Sequence, residues 1–329
     1  MSGRRIIHDF LLPRNPRNPI LTTADWPHTV NAVFNPGAVR LKDGTTLLLC
    51  RVEDRRGISS LWAARSQNGV DHWDIDPVPT LVPESDTHPE EVWGIEDPRI
   101  VWLEELGKYA ITYTAYSQTG PGVSMALTED FRVFERLRLV LPPEDKDAAL
   151  LPRRIGGAWL MIHRPVTGRG AADIWLAESP DLHHWGRHEL LMAARRGAWW
   201  DANKIGLATP LIDTERGWLM FYHGVRQTAS GSLYRLGIAL LDRERPRQCL
   251  MRSDEWIFGP REEYERQGDV AGVVFPCGYT IGDDGDVLNI YYGAADTCIG
   301  LATGRISELL AWLETHSSAT CESRFPAGV

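Results

Sequence analysis

The chain has 329 residues, 43% hydrophobic and 24% charged, within the ordinary range of a folded globular protein. Its net charge of −9 excludes the basic surface that nucleic acid requires. No stretch approaches the roughly 18 apolar residues of a membrane span, and five scattered Cys without CxxC spacing suggest neither a disulfide framework nor a zinc knuckle.

The elements run as follows along the chain. Residues 1–28 carry Arg4 and Arg5 but no following apolar signal region; they are rich in Pro and Asn and read as an extended arm. Strands follow at 38–41 and 46–51 around the Lys42-Asp43-Gly44 turn, and at 109–116. Others follow Gly156-Gly157 at 158–163, Gly217 at 218–223, and Gly285-Asp286 at 287–292. Asp-Gly and Gly-Gly pairs suit hairpins because the favoured turns need positive φ. Only 305–316 has a helical period, with Ile306, Leu309, Leu310 and Leu313 on one stripe, and it reads as a terminal helix capping the fold. The last residues, 317–329, read as a tail, and no linker divides 29–316.

A repeat organises these strands. Ala64-Arg65-Ser66-Gln67-Asn68-Gly69 runs to Trp73, and Ala177-Glu178-Ser179-Pro180-Asp181 runs to Trp185. Weaker copies begin at Ala126, Ala239 and Ala302. Roughly 50 to 65 residues separate them, the period of a four-stranded blade. Five copies predict an all-β chain folded as a five-bladed β-propeller with a short C-terminal helix. Most of the 13 Trp then belong to blade packing, with sugar stacking as the competing use of Trp93 and of Trp199-Trp200.

A propeller brings its innermost strands together on one axis, so polar residues at matching places in different blades become site candidates. These are Asn35, Arg51, Asp97, Arg164, Lys204, His223 and Asp296. Asn35 fits either a ligand contact or the cap of its Pro36-Gly37 turn, and His223 also fits a core histidine. His88, Glu90 and Glu91 match no familiar metal-ligand spacing, so no metal is expected.

The motifs in order are Phe34-Asn35-Pro36-Gly37, Cys50-Arg51, Gly94-Ile95-Glu96-Asp97-Pro98-Arg99 and Lys146-Asp147. After them come Leu150-Leu151-Pro152, His163-Arg164-Pro165, Lys204-Ile205-Gly206, the segment from Gly217 to Gly224, and Tyr291-Tyr292-Gly293-Ala294-Ala295-Asp296. This series resembles glycoside hydrolase family 130, the β-mannoside phosphorylases and β-1,2-mannosidases, over residues 29 to 296.

The resemblance implies Asp97 as general acid. An aspartate near pKa 3.9 needs burial or a second carboxylate to hold its proton at neutral pH, and Glu96 is at hand. It implies that Arg164, Lys204, His223 and Tyr234 face phosphate or the reacting sugar. Lys146 with Asp147 stands where some family phosphorylases have Arg-Asn, which keeps a cation and adds an anion. Asn35, Arg51 and Asp296, with His223, are implied to hold the mannosyl unit.

The implied reaction is inverting phosphorolysis of manno-oligosaccharides to α-mannose 1-phosphate and a shortened sugar. Inorganic phosphate is the co-substrate and no cofactor is needed. The alternatives are an inverting β-1,2-mannosidase, with a base sought among Glu262, Glu263 and Glu265, and a non-catalytic sugar-binding propeller. An arabinan-type propeller glycosidase is disfavoured by the cation-rich motifs. A phosphorylated product and reduced cysteines fit the cytoplasm. Family members often assemble, so the resemblance also allows a homo-oligomer.

Overall fold

The computed structural model describes residues 10–167, 172–229 and 231–317. Most of the tail expected at 317–329, and the first nine residues of the arm, lie outside the described residues.

Five antiparallel sheets follow one another along the chain. The first holds β1 (Ala32–Arg40), β2 (Thr46–Glu53), β3 (Ser59–Ser66) and β4 (Asp74–Ile75). The second holds β5 (Ile95–Leu103), β6 (Lys108–Ser117), β7 (Gly120–Thr128) and β8 (Glu135–Leu141). The third holds β9 (Asp145–Leu150), β10 (Trp159–Pro165), β11 (Ile174–Ser179) and β12 (Gly186–Met192). In the fourth, β13 (Lys204–Leu207) and β14 (Ile212–Thr214) both pair with β15 (Gly217–Thr228), followed by β16 (Gly231–Leu241) and β17 (Cys249–Arg252). The fifth holds β18 (Val274–Ile281), β19 (Val287–Ala294) and β20 (Cys298–Arg305). These are the five blades of a β-propeller.

The repeat has a physical basis. Ala64, Ala126, Ala177, Ala239 and Ala302 all lie on the third strand of their blades, β3, β7, β11, β16 and β20. Short polar side chains then cap the following turn. Asp130 Oδ1 accepts from the backbone N–H of Arg132 and Val133, Asp181 Oδ1 from His183 and His184, and Asp242 Oδ1 from Glu244 and Arg245. Trp73 and Trp185 each donate their indole N–H to the carbonyl three residues back, Val70 and Leu182.

Each blade is covered on both faces by its neighbours, so its middle strands read as apolar runs rather than alternating ones. β2 (Thr-Leu-Leu-Leu-Cys) and β15 (Gly-Trp-Leu-Met-Phe-Tyr) are examples. The apolar cores sit between adjacent blades. Leu47 and Leu49 pack with Ile100 and Ile111, and Val123 and Met125 with Leu150 and Met161. Ile162 and Leu176 pack with Met220 and Leu207.

The last blade has only three strands of its own. The N-terminal segment supplies the missing outer edge, bridging Arg14 to Ala302 and Leu21 to Ile299 in antiparallel fashion. Asn18 exchanges two hydrogen bonds with the backbone of Leu301, at 2.9 and 2.8 Å. Arg14 forks onto buried Glu265 at 2.6 and 2.8 Å. A short helix α1 (Glu263–Arg266), absent from the sequence reading, carries Glu265. Helix α2 (Ile306–Thr315) buries Leu309 and Leu313 in the core between the fourth and fifth blades.

Cys50, Cys277 and Cys298 are free and buried. Cys249 is disulfide-bonded, against the expectation of wholly reduced cysteines, and its partner lies outside the described residues. Sequence spacing does not report which thiols meet in space.

Candidate active site

The innermost strands β1, β5, β9, β13 and β18 line the axis, and β1, β5 and β9, like β18 between Pro276 and Gly278, break their ladder. Register slips between Phe34 and Gly37, between Glu96 and Arg99, and opposite Ile162 to Arg164 on β10. At these bulges Asn35, Asp97 and Asp147 have φ of 44°, 52° and 55°. Asn and Asp adopt this left-handed region more readily than other side-chain-bearing residues, and a bulge re-aims the side chain it carries. One device, used in three successive blades, therefore gathers an amide and two carboxylates. Two glycines of the motifs make room for them. A Cβ at Gly206 would land on the Asp147 carboxylate and the His223 ring, and one at Gly293 on Asn35 Oδ1.

The acidic half forms around Arg51. Asp97 is 4% exposed, and its Oδ1 accepts from Asn35 Nδ2 at 2.9 Å and Arg51 Nη1 at 3.1 Å. Arg51 also donates to Glu96 Oε1 and Ser59 Oγ, both at 2.9 Å, and lies 4.4 Å from the Phe34 ring centroid. Asp97 Oδ2 makes no hydrogen bond among the described residues. Asp296, also at positive φ (52°), faces this group. Its pKa is pushed up to about 6, first by burial and then by the charge of Asp97. Burial likewise raises Glu96, against the pull of Arg51 and with a further push from Asp97. With Glu53 Oε2 3.7 Å from Arg51 Nη2, four carboxylates crowd one guanidinium, and the crowding favours a retained proton.

The basic half forms around Asp147. Its Oδ2 accepts from Arg164 Nε at 2.6 Å and lies 3.4 Å from His223 Nε2, while Oδ1 lies 3.5 Å from Arg99 Nη2. Burial alone would raise the Asp147 pKa, but Arg164, His223 and Arg99 outweigh it and hold the carboxylate ionised. Burial drives His223 down to about 3, so the imidazole is neutral. Its Nδ1 is buried and has no hydrogen-bond partner among the described residues. Lys204 lies 5.2 Å above the Tyr234 ring, its pKa lowered by burial and by Arg164. Burial raises the Tyr234 phenol. Lys146, the register partner of Arg164, has no hydrogen bond or ion pair among the described residues, and neither has the Lys204 ammonium. Two unpaired ammonium groups and an arginine engaged only through Nε make a site for an oxyanion.

Arg99 joins the halves. It is 1% exposed and donates to the carbonyls of Asp97, Leu207 and Ala208 at 3.2, 2.8 and 2.7 Å. One guanidinium thereby fixes the backbone of the second blade against the fourth beside the Asp147 carboxylate.

Asn35, Arg51, Glu96, Asp97 and Asp296 lie in the acidic half, and Lys146, Arg164, Lys204, His223 and Tyr234 in the basic half. The sequence reading missed Arg99, visible only as the last residue of its motif, and it treated Asp147 as a foreign anion rather than the hub of the basic half. Full burial of an Arg or Asp has no sequence signal when its partners come from other blades. Glu265 is spent on Arg14, the Tyr292 hydroxyl and two backbone N–H groups, and Glu262 caps α1. Glu91 is spent on Tyr113 and Arg136. Trp200 is packed between blades, whereas Trp93 and Trp199 are exposed.

Fold and site together define a class: propeller enzymes of glycoside chemistry, with a carboxylate cluster and a cation nest on a common axis. A family model described as β-1,4-mannooligosaccharide phosphorylase matches residues 12–315, and the chain belongs to glycoside hydrolase family 130. It is 32% identical over 308 residues to the β-1,4-mannooligosaccharide phosphorylase of Ruminococcus albus, covering 92% of this chain and 90% of that one. It is 38% identical over 253 residues to a β-1,2-mannobiose phosphorylase of Thermoanaerobacter sp., covering 76% and 78%. The solved β-1,2-mannobiose phosphorylase of Listeria innocua, in complex with β-1,2-mannobiose, superposes with a TM-score of 0.83 at 30% identity, covering 93% of this chain and 99% of that one. No described helix is long and apolar enough to cross a membrane.

Proposed function

We propose that this chain catalyses the inverting phosphorolysis of β-mannosides, releasing α-mannose 1-phosphate and a sugar shortened by one unit. The observation that carries this reading is the cation nest of Lys146, Arg164 and Lys204 on the third and fourth blades, joined through Arg99 to the Asp97 cluster of the neighbouring blades. A phosphate oxyanion needs positive charge to hold it and no general base to activate it.

Asn35, Arg51 and Asp296 hold the mannosyl hydroxyls. Asp97 is the general acid. Its proton passes, directly or through a sugar hydroxyl, to the glycosidic oxygen as that oxygen takes the electron pair of the breaking C1–O bond. Phosphate, held by Arg164, Lys146, Lys204 and the Tyr234 hydroxyl, attacks C1 from the opposite face. The neutral His223 ring, its Nε2 3.4 Å from Asp147 Oδ2, stands beside the same phosphate. Attack from that face converts a β-mannoside into an α-phosphate.

Hydrolysis would need a free carboxylate as base. Glu265 has its oxygens filled, and Asp147 is held too acidic by its cations to take a proton from water. A sugar phosphate does not leave the cell unaided, which supports a cytoplasmic site of action. Initial rates on β-1,2- and β-1,4-mannobiose, with and without phosphate, test the reading. Turnover should vanish without phosphate, and equal turnover in both conditions would overturn it.

A further inference from the structure

The fourth blade carries a cavity that the reaction does not use. A cleft of about 580 Å³ there is lined by Arg196, Trp199, Trp200, Arg226, Arg235 and Trp256, with Asp254 and Glu255. Its volume is in the range of small-molecule sites. Arg226 stands three residues beyond His223 on β15, and Arg235 follows Tyr234 on β16. Along the strand Arg226 is about 10 Å from His223, and Arg235 is one residue, about 3.4 Å, from Tyr234. Successive side chains alternate faces, so Arg226 and Arg235 point away from the face that carries His223 and Tyr234.

The cleft is built and electropositive. Among the described residues, none of Arg196, Arg226 and Arg235 has a carboxylate within 4.0 Å. Arg226 is fixed by donating to the Ala198 carbonyl at 3.0 Å, and Arg235 lies 4.6 Å from the Trp256 ring centroid. Burial and the neighbouring Arg226 both lower the Arg235 pKa, the mark of like charges held together without a counter-ion. Of the two acids on the lining, Asp254 is already paired with Arg195 at 3.2 Å, and Glu255 has a partner of its own. Trp200 is stacked on Tyr222 at 5.5 Å and anchored by its indole N–H to the Asp254 carbonyl at 2.9 Å. Trp199 is 42% exposed, with Arg195 lying 4.2 Å from its ring centroid.

Guanidinium forks match phosphate oxygens, and an exposed indole face suits the C–H face of a pyranose. We infer that this cleft is a second binding site, separate from the axial pocket, for a phosphorylated pyranose. The choice of a sugar phosphate rests on the reaction proposed above; the existence of an anion cleft does not.

The test is equilibrium dialysis of the full chain with α-mannose 1-phosphate in the absence of acceptor sugar. Two equivalents per chain are expected for the unaltered protein. R235Q and, separately, R226Q should weaken one of them roughly tenfold or more, about the worth of one charge-assisted hydrogen bond. Both should leave the other equivalent and the initial rate of phosphorolysis unchanged. Should either variant fail to fold, the other and the unaltered protein's stoichiometry still decide. A single equivalent in the unaltered protein, or two undiminished equivalents in the folded variants, overturns the inference. One equivalent with phosphorolysis intact sinks only the cleft. Two equivalents without phosphorolysis sink only the reaction.

Discussion

Replacing Asp147 by Asn removes one negative charge from a site where Arg164, Arg99 and His223 converge on it, and leaves the shape nearly unchanged. Breaking a fully buried ion pair costs about 3–5 kcal/mol, because the remaining charge has neither water nor partner. Asn keeps a carbonyl oxygen for Arg164 Nε, which places the loss at the lower end, about 3 kcal/mol. For a chain of this length that is a fall of roughly 4 °C in Tm. The functional effect follows from position. Arg164 would no longer be pulled onto Asp147 at 2.6 Å, so its fork would lose its aim at phosphate. Losing one hydrogen bond to a charged group, about 1.5–3 kcal/mol, lowers kcat/KM for phosphate roughly 10- to 100-fold. Calorimetric melting and initial rates across a phosphate series measure the two effects. Were Asp147 only an unwanted anion in the pocket, its removal would tighten phosphate, and a lower KM for phosphate in the variant would refute the reasoning.

The D97N variant should lose about 10²- to 10⁴-fold in kcat with KM for the mannoside little changed, since general acid catalysis contributes on that order; a loss under tenfold removes Asp97 from the role of acid. Asp296 and His223 make opposite demands on pH. The folded pKa of Asp296, about 6, exceeds its unfolded value near 3.9, so its contribution to stability is present below about pH 4 and gone above 6. That of His223, about 3, lies below its unfolded value near 6.5, so its contribution is present above that value and lost as pH falls toward 3. In D296N the second slope stands alone, and stability should rise between pH 4 and 6 by about 1.4 kcal/mol per unit; urea melts showing no steeper rise than in the unaltered protein contradict this. R14A strips the N-terminal edge strand of its fork onto buried Glu265 and should cost about 3 kcal/mol while leaving the rate at 25 °C unchanged; a melt identical to that of the parent chain disproves that anchoring role.

The blades were legible because their repeat is chemical: an Ala on the third strand and an Asp or Ser/Thr capping the next turn recur wherever the same turn must be made. Asn35 and Asp97 were legible because residues that tolerate positive φ sit directly before Pro within otherwise apolar strands. What escaped the sequence depends on partners far apart in the chain. Arg99 reads as a strand-end cation until the carbonyls of Leu207 and Ala208 are found beside it. Asp147 looks like an intruder until Arg164 and His223 are seen to need it. Segment 1–28 looks extended from its composition, but nothing local says that residues near 14 and 21 pair with β20. Glu265 looked available as a base because it is acidic, and only the Arg14 fork and the Tyr292 hydroxyl reveal that its lone pairs are taken.

The account stands on phosphate attacking C1 across the mannosyl ring from Asp97. Phosphorus and proton NMR of the first minutes of reaction, with a β-mannobiose and inorganic phosphate, reads that event directly. The account predicts α-mannose 1-phosphate appearing in step with free acceptor sugar, with no free mannose from the cleaved unit. Free mannose in place of the phosphate ester, or a β-configured ester, would contradict it.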